Sequence, residues 1–267
     1  MAPPTTAPGT AAPVRWSSAR WSAYFQANAK SLLDIPWDEP VGLTEAERAT
    51  IGRSVQDFQL GESSDGHNLL RAARAYAERS GDPAYPEAIR LFIGEEQRHA
   101  RDLGRFLTKA GIPVLARSWT DTVFRWLRHR AGLELFLTVL LAAEMIGKVY
   151  YKALRRATGS PLLRRLCEQI LRDEIKHIRF HVERLALLRR DRPRWKAGLA
   201  RSGHRCLFGG TCLVVWWKHR KVLRAGGYGF RKYWREVWAE IDAAQRPIDP
   251  RDLIVLPTER KQVVPVG

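Results

Sequence analysis

Two Glu-x-x-His pairs, Glu96-Gln97-Arg98-His99 and Glu174-Ile175-Lys176-His177, lie 78 residues apart, each inside a stretch of helical apolar periodicity. Residues i and i+3 of an α-helix share a face, so each pair presents a carboxylate and an imidazole to one point. The surrounding stripes are Phe92, Glu96, His99, Leu103, Phe106 and Cys167, Ile170, Glu174, His177, His181, Leu185. Both pairs therefore lie on the faces that hydrophobic burial turns inward. A chain that carries polar groups there must pack long helices around a polar centre.

Two further carboxylates fall on inward registers. Glu62 follows Phe58 by one turn and precedes Leu69 by seven residues. Glu144 is the only charge from Leu135 to Gly147, in Leu-Phe-Leu-Thr-Val-Leu-Leu-Ala-Ala-Glu-Met-Ile-Gly. An unpaired buried carboxylate costs several kcal/mol, so such a residue is paired, protonated or bound to metal. Glu62, Glu96, His99, Glu144, Glu174 and His177 are thus candidate metal ligands and catalytic residues. Four anionic groups nearly balance two divalent cations. Carboxylate oxygens with one imidazole per ion suit iron or manganese better than tetrahedral zinc. His181, one turn beyond His177, is a candidate seventh ligand or proton carrier, or a hydrogen-bonded core histidine. Tyr151 is a candidate redox phenol or a packing residue, and Cys167 lines a channel or simply packs.

The periodicity predicts an all-α protein, a bundle of four long helices of roughly 25 to 38 residues. The first begins at Thr44, where Glu47 completes a capping box, and runs on Ile51, Val55, Phe58, Leu69, Ala73 and Tyr76 to Gly81-Asp82-Pro83. The second spans about Pro86 to Ala110. The third runs from Thr120-Asp121 to Thr158-Gly159, bent at Ala131-Gly132. The fourth is capped by Ser160, with Pro161 at its first position, and reaches Arg190. Four divisions follow: a disordered tail and a short helix over 1–40, broken by Ile35 to Pro40; the bundle over 41–191; a basic, Trp-rich helical extension over 192–247; and a tail over 248–267.

Net charge matters for partners. The formal charge is +17, and residues 192–235 hold twelve Lys or Arg and no Asp or Glu. Within them, Cys206 to Trp217 is uncharged, too short to span a bilayer but suited to its interface. The extension reads as a peripheral membrane attachment, as an added helical layer on the bundle, or as a dock for an acidic carrier protein or RNA; a GC-rich genome that favours Arg over Lys is the alternative source of the charge, with no partner at all. Cys167, Cys206 and Cys212 form no disulfide framework, which fits a reducing compartment. Met1 to Pro13 lacks the pattern of a signal peptide, and no segment has the length of a transmembrane helix. The expected location is the cytoplasm, with attachment to a membrane surface as a variant of it.

Glu95-Glu96-Gln97-Arg98-His99 and Asp173-Glu174-Ile175-Lys176-His177, with Glu62 and Glu144, resemble the ligand motifs of ferritin-like di-iron carboxylate proteins, most of all the soluble acyl-carrier-protein desaturases. The likeness covers about residues 44–190, and spacings of 34, 48 and 30 residues between successive ligand helices are similar in proportion. It implies a ferritin-like four-helix bundle in which the six residues hold two iron ions (or a manganese–iron pair), with Asp173 orienting a ligand histidine and His181 close by. It further implies O2-dependent oxidation of a hydrophobic acyl or lipid-like substrate, by desaturation or hydroxylation, with electrons from a separate donor protein; the long helices themselves suggest a homodimer. Many members carry a Thr one turn beyond the third-helix Glu; here Gly147 and Lys148 stand there. The other functions open to such a chain are ferroxidase or peroxide-scavenging iron handling and hydroxylation of modified tRNA.

Overall fold

A computed structural model of the chain describes residues 15–63, 66–116, 132–190 and 193–245, all of them helices and connecting turns with no strand among them. In order the helices are α1 (Ser18–Asn28), α2 (Glu45–Glu62), α3 (His67–Ser80), α4 (Tyr85–Lys109), α5 (Leu133–Ala157), α6 (Pro161–Arg189), α7 (Arg194–Ala225) and α8 (Phe230–Gln245). The protein is an all-α bundle. The expected tails at 1–13 and 248–267 and the expected helix start at Thr120-Asp121 lie outside the described residues. Among the described residues, no helix is long and apolar enough to cross a membrane.

Capping chemistry sets several helix ends. Thr44 Oγ1 accepts from Glu47 N at 3.2 Å while Glu47 Oε2 accepts from Thr44 N at 2.8 Å, a reciprocal pair that satisfies two donors at the start of α2. Ser160 Oγ accepts from Leu163 N at 3.3 Å, ahead of Pro161 in α6. The single helix expected from Thr44 to Ser80 is instead two, α2 of 18 residues and α3 of 14. The break is fixed at Gly66, whose φ of 69° disfavours any residue with a Cβ. A Cβ there would also fall 2.5 to 2.8 Å from three side-chain carbons of Ile93. At the bend expected at Ala131-Gly132, Gly132 is extended (φ −64°, ψ 169°) and α5 starts at Leu133, while Ala131 lies outside the described residues.

Two apolar clusters bracket the polar centre. On α4, the residues Ala88, Ile89 and Phe92 join one cluster and Leu103, Phe106 and Leu107 the other, with Glu96 and His99 between them. On α6 the order reverses: Leu162, Leu166 and Ile170 belong to the second cluster and Phe180, Val182 and Leu185 to the first, with Glu174 and His177 between. The reversal shows that α4 and α6 run antiparallel. Ile51 and Val55 of α2 lie in the second cluster and Leu69 and Ala73 of α3 in the first, so this pair together runs opposite to α4.

The remaining helices cover the bundle. α1 buries Trp21 and Phe25 in the first cluster, and Trp21 Nε1 donates to Glu183 Oε2 at 2.9 Å. α7, 32 residues long, packs on α5 and α2. α8 packs on α5 and α7, with Glu240 Oε2 2.7 Å from Lys148 Nζ and Tyr233 OH donating to Cys212 O at 3.1 Å.

Candidate metal centre

All six inward residues converge. Among the described residues, Glu96, Glu144, Glu174 and His177 offer donor atoms that lie within 4.8 Å of one another, and so do Glu62, Glu96 and His99. Glu96 belongs to both groups, so its carboxylate could serve either. Each donor comes from a helix middle or end that the apolar clusters already hold: Glu62 closes α2, Glu96 and His99 sit mid-α4, Glu144 mid-α5, and Glu174 and His177 mid-α6.

Outer hydrogen bonds fix both imidazoles. Nε2 of His99 lies 3.0 Å from Asp173 Oδ2, and Nε2 of His177 lies 2.8 Å from Glu95 Oε2. An ionised carboxylate can only accept, so each Nε2 carries a proton and Nδ1 is the ring nitrogen left for the cluster. The arrangement is reciprocal: the acid just before the α4 ligand Glu96 orients the α6 histidine, and the acid just before the α6 ligand Glu174 orients the α4 histidine. Asn28 of α1 ties the two together, its Nδ2 donating to Glu95 Oε1 at 2.6 Å and to Asp173 Oδ1 at 2.8 Å. Gln169 Nε2 and Arg98 Nη2 also donate to Asp173 Oδ2, at 2.9 and 2.5 Å.

The donor atoms fit a metal pair. Nδ1 of His99 and of His177, Oε1 of Glu96 and Oε2 of Glu174 are buried without a hydrogen-bond partner. His177 Nδ1 lies 3.1 Å from Glu96 Oε1, 3.7 Å from Glu144 Oε2 and 3.9 Å from Glu174 Oε2. Adjacent donors on an octahedral ion with bonds of about 2.1 Å stand roughly 3 Å apart, so these separations need little adjustment. Buried donor atoms without a hydrogen-bond partner around one centre are atoms a bound cation would satisfy.

Electrostatics agree. Burial, then the neighbouring Glu96 for the one and Glu144 for the other, raises Glu62 and Glu174 well above the usual carboxylate range. Glu96 is raised by burial and then by Glu144. Burial also pushes Glu144 upward, but the neighbouring Glu174 and His177 outweigh that and set it at about 2. His177 is held well above the imidazole range because the carboxylates Glu144, Glu95 and Glu96 overcome the effect of burial. Without cations the cluster keeps protons where positive charge belongs.

Other expected residues fall as follows. Asp173 is buried against His99, and burial, which would raise it, is overcome by the His99 bond and the charges of His177 and Arg98, so it stays well below the carboxylate range. His181 lies behind Glu144, its Nε2 3.9 Å from Glu144 Oε1, beyond hydrogen-bond reach, with both ring nitrogens unpartnered. Tyr151 donates its hydroxyl to Glu62 Oε1 at 2.8 Å and so orients a candidate ligand. Cys167 packs among Ile51, Leu162 and Tyr150 and does not reach the cavity. Gly147 borders that cavity, and a Cβ there would meet Tyr151 at 3.9 Å, an ordinary van der Waals contact.

Glu95, Asn28, Gln169 and the Tyr151 bond escaped the sequence reading. Glu95 was legible, since it precedes Glu96 as Asp173 precedes Glu174. Asn28 continues the stripe Trp21, Phe25 at helical spacing, but nothing in the sequence says which partner it meets.

A cavity of about 190 Å³ opens from the cluster. Glu62, Glu96, Glu144 and Glu174 form its polar wall, and Phe58, Leu69, Ile93, Phe136, Val139, Leu140, Ile146, Val214 and Val215 supply most of the rest. Lys218 and Asp57 border it as an ion pair, Nζ to Oδ1 2.9 Å. The cavity therefore pairs a carboxylate wall with an apolar lining. No known protein family, curated protein or solved structure matches the chain.

Proposed function

We propose that the chain is an O2-dependent oxidoreductase of the ferritin-like di-iron carboxylate type, acting on a hydrophobic acyl or lipid-like substrate. The observation that carries this reading is the apolar cavity leading straight onto the carboxylate–imidazole cluster. Glu62, Glu96 and His99 would hold one iron ion, Glu144, Glu174 and His177 the other, with Glu96 reaching both. Iron bound there would supply O2 binding and one-electron steps that no side chain offers.

The protein's own groups do the rest. Asp173 and Glu95 hold the two imidazoles in the tautomer that leaves Nδ1 free, a role whose loss typically weakens metal binding tenfold to a hundredfold. Phe92 stands edge-on to His177 and to His181, at 4.8 and 4.6 Å between ring centroids, and keeps water from their faces. Phe136, Val139 and Leu140 bind a chain by burial alone, so the substrate is held by length and shape. Tyr151 keeps a proton on the Glu62 side of the cluster. The reaction balances as O2 plus two electrons and two protons, with a C–H bond becoming C–OH and one water, or a CH2–CH2 unit becoming CH=CH and two waters. The two added electrons come from a separate donor protein.

Iron handling alone would need the cluster and no apolar cavity. A tRNA substrate would need cations beside the cavity, yet Lys218 is already paired with Asp57 and exposed Arg220, Lys221 and Arg224 lie elsewhere on α7. The test is a single turnover: protein loaded with Fe(II) under anaerobic conditions, mixed with O2 and a series of fatty acids and acyl thioesters. Expected is a product lighter by two hydrogens or heavier by one oxygen, with O2 uptake quickened by substrate. Fe(II) oxidised to completion with every substrate recovered unchanged would instead assign iron handling.

A further inference from the structure

The outer face of α7 carries side chains that nothing among the described residues covers. Trp195, Leu199, Leu213 and Trp217 are 67, 69, 50 and 64% exposed, and exposed Cys206 and Gly210 lie between them. Steps of four, seven, seven and four residues through Trp195, Leu199, Cys206, Leu213 and Trp217 keep them on one face, a stripe about 33 Å long at 1.5 Å per residue. The same face continues into exposed Arg220, Lys221 and Arg224, and exposed Phe230 packs on Trp216 at 5.3 Å, with exposed Arg231 next to it in sequence. No acid occurs from residue 193 to residue 235.

We propose that α7 seats the protein in the plane of an anionic lipid surface, with Trp and Leu in the headgroup–acyl boundary and the cations on lipid phosphates. Indole rings and leucines flanked by Arg and Lys fit that boundary, where an apolar stripe leaves water and each cation finds a counter-charge. A second copy of the chain suits the stripe poorly, because a two-fold contact would set one acid-free basic face against another. The neighbouring face of α7 lines the cavity: Val214 follows Leu213, and Lys218 follows Trp217. A seated α7 therefore brings the cavity wall to the lipid boundary, so an acyl chain enters from the bilayer. That last step rests on the proposed oxidoreductase function; the docking does not.

The test is co-sedimentation of the full chain, iron-loaded, with vesicles of phosphatidylcholine alone or mixed with phosphatidylglycerol. Expected is binding at least tenfold tighter to the anionic vesicles, weakened by salt, and reduced at least tenfold in Leu213→Ser/Trp217→Ser with iron content unchanged. Arg220→Gln/Lys221→Gln/Arg224→Gln should lose the preference for anionic lipid. The proposal is overturned by no vesicle binding, by equal binding to both vesicle types, by undiminished binding of Leu213→Ser/Trp217→Ser, or by a dimer that this double variant converts to a monomer. Equal affinity for soluble polyglutamate, unaffected by the serine variants, would also overturn it in favour of an acidic partner. Protein stripped of iron by a chelator should still bind anionic vesicles. Vesicle binding without iron binding would leave the docking standing and remove the oxidoreductase; iron binding without vesicle binding would do the reverse.

Discussion

Asn28 has the widest reach of any single residue outside the six candidate ligands. Its amide donates to Glu95 and to Asp173, which in turn orient His177 and His99, so one side chain on a short N-terminal helix sets both halves of the centre. Asn28→Ala should leave two buried carboxylates without a shared donor and lower metal affinity about tenfold to a hundredfold. Competition against a chelator of known affinity checks this, and an unchanged affinity would remove Asn28 from the centre. At this scale the sequence was most informative for the groups with a spacing rule. The Glu-x-x-His pairs announce themselves because i and i+3 must share a face, and Glu144 because a lone acid in an apolar run needs a reason. Asn28 and Gln169 have no such rule; their partners lie 67 and more residues away or depend on side-chain direction.

Among elements, capping residues and proline marked helix ends well, while helix continuity was misread. Leu69 and Ala73 keep the period of Ile51 and Val55 across the break at Gly66, because both helices face one interior. Apolar period alone could not reveal a left-handed glycine between them. The length of α7 was obscured for another reason: its stripe of Trp and Leu faces outward, so the usual link between apolar period and burial fails there. What seats α7 is a close backbone approach. A Cβ on Gly226 would meet the backbone of Ala153, coming within 2.7 Å of its carbonyl carbon and closer still to its oxygen. No rotamer change relieves a backbone clash, so Gly226→Ala should destabilise the protein by about 1 to 3 kcal/mol. Urea unfolding followed by circular dichroism measures it, and a neutral result would mean that α7 does not lie on α5 as described.

For the whole molecule, the metal-free state carries an electrostatic cost that pH exposes. Glu62, Glu174 and His177 have folded values raised above those of the unfolded chain. A raised value contributes stability below the unfolded value and loses it as pH rises through the folded one. The depressed Glu144 and Asp173 act only below the ordinary carboxylate range. Between about 4.3, the unperturbed Glu value, and neutrality the raised groups lower metal-free stability, while buried His181, His204 and His219, each depressed to about 4, raise it. Divalent iron or manganese should raise the melting temperature most at the upper end and release protons on binding. A metal-induced gain in melting temperature that shrinks with rising pH over that span would contradict the charge balance derived for the cluster.

The decisive measurement is iron per chain after anaerobic loading and desalting, for the native protein beside Glu144→Ala and His177→Ala. The predicted result is about two iron ions per native chain, and loss of at least one in each variant while helical content is retained. No bound iron in the native protein, or two in both folded variants, would contradict the proposed di-iron centre and with it the proposed oxidation chemistry.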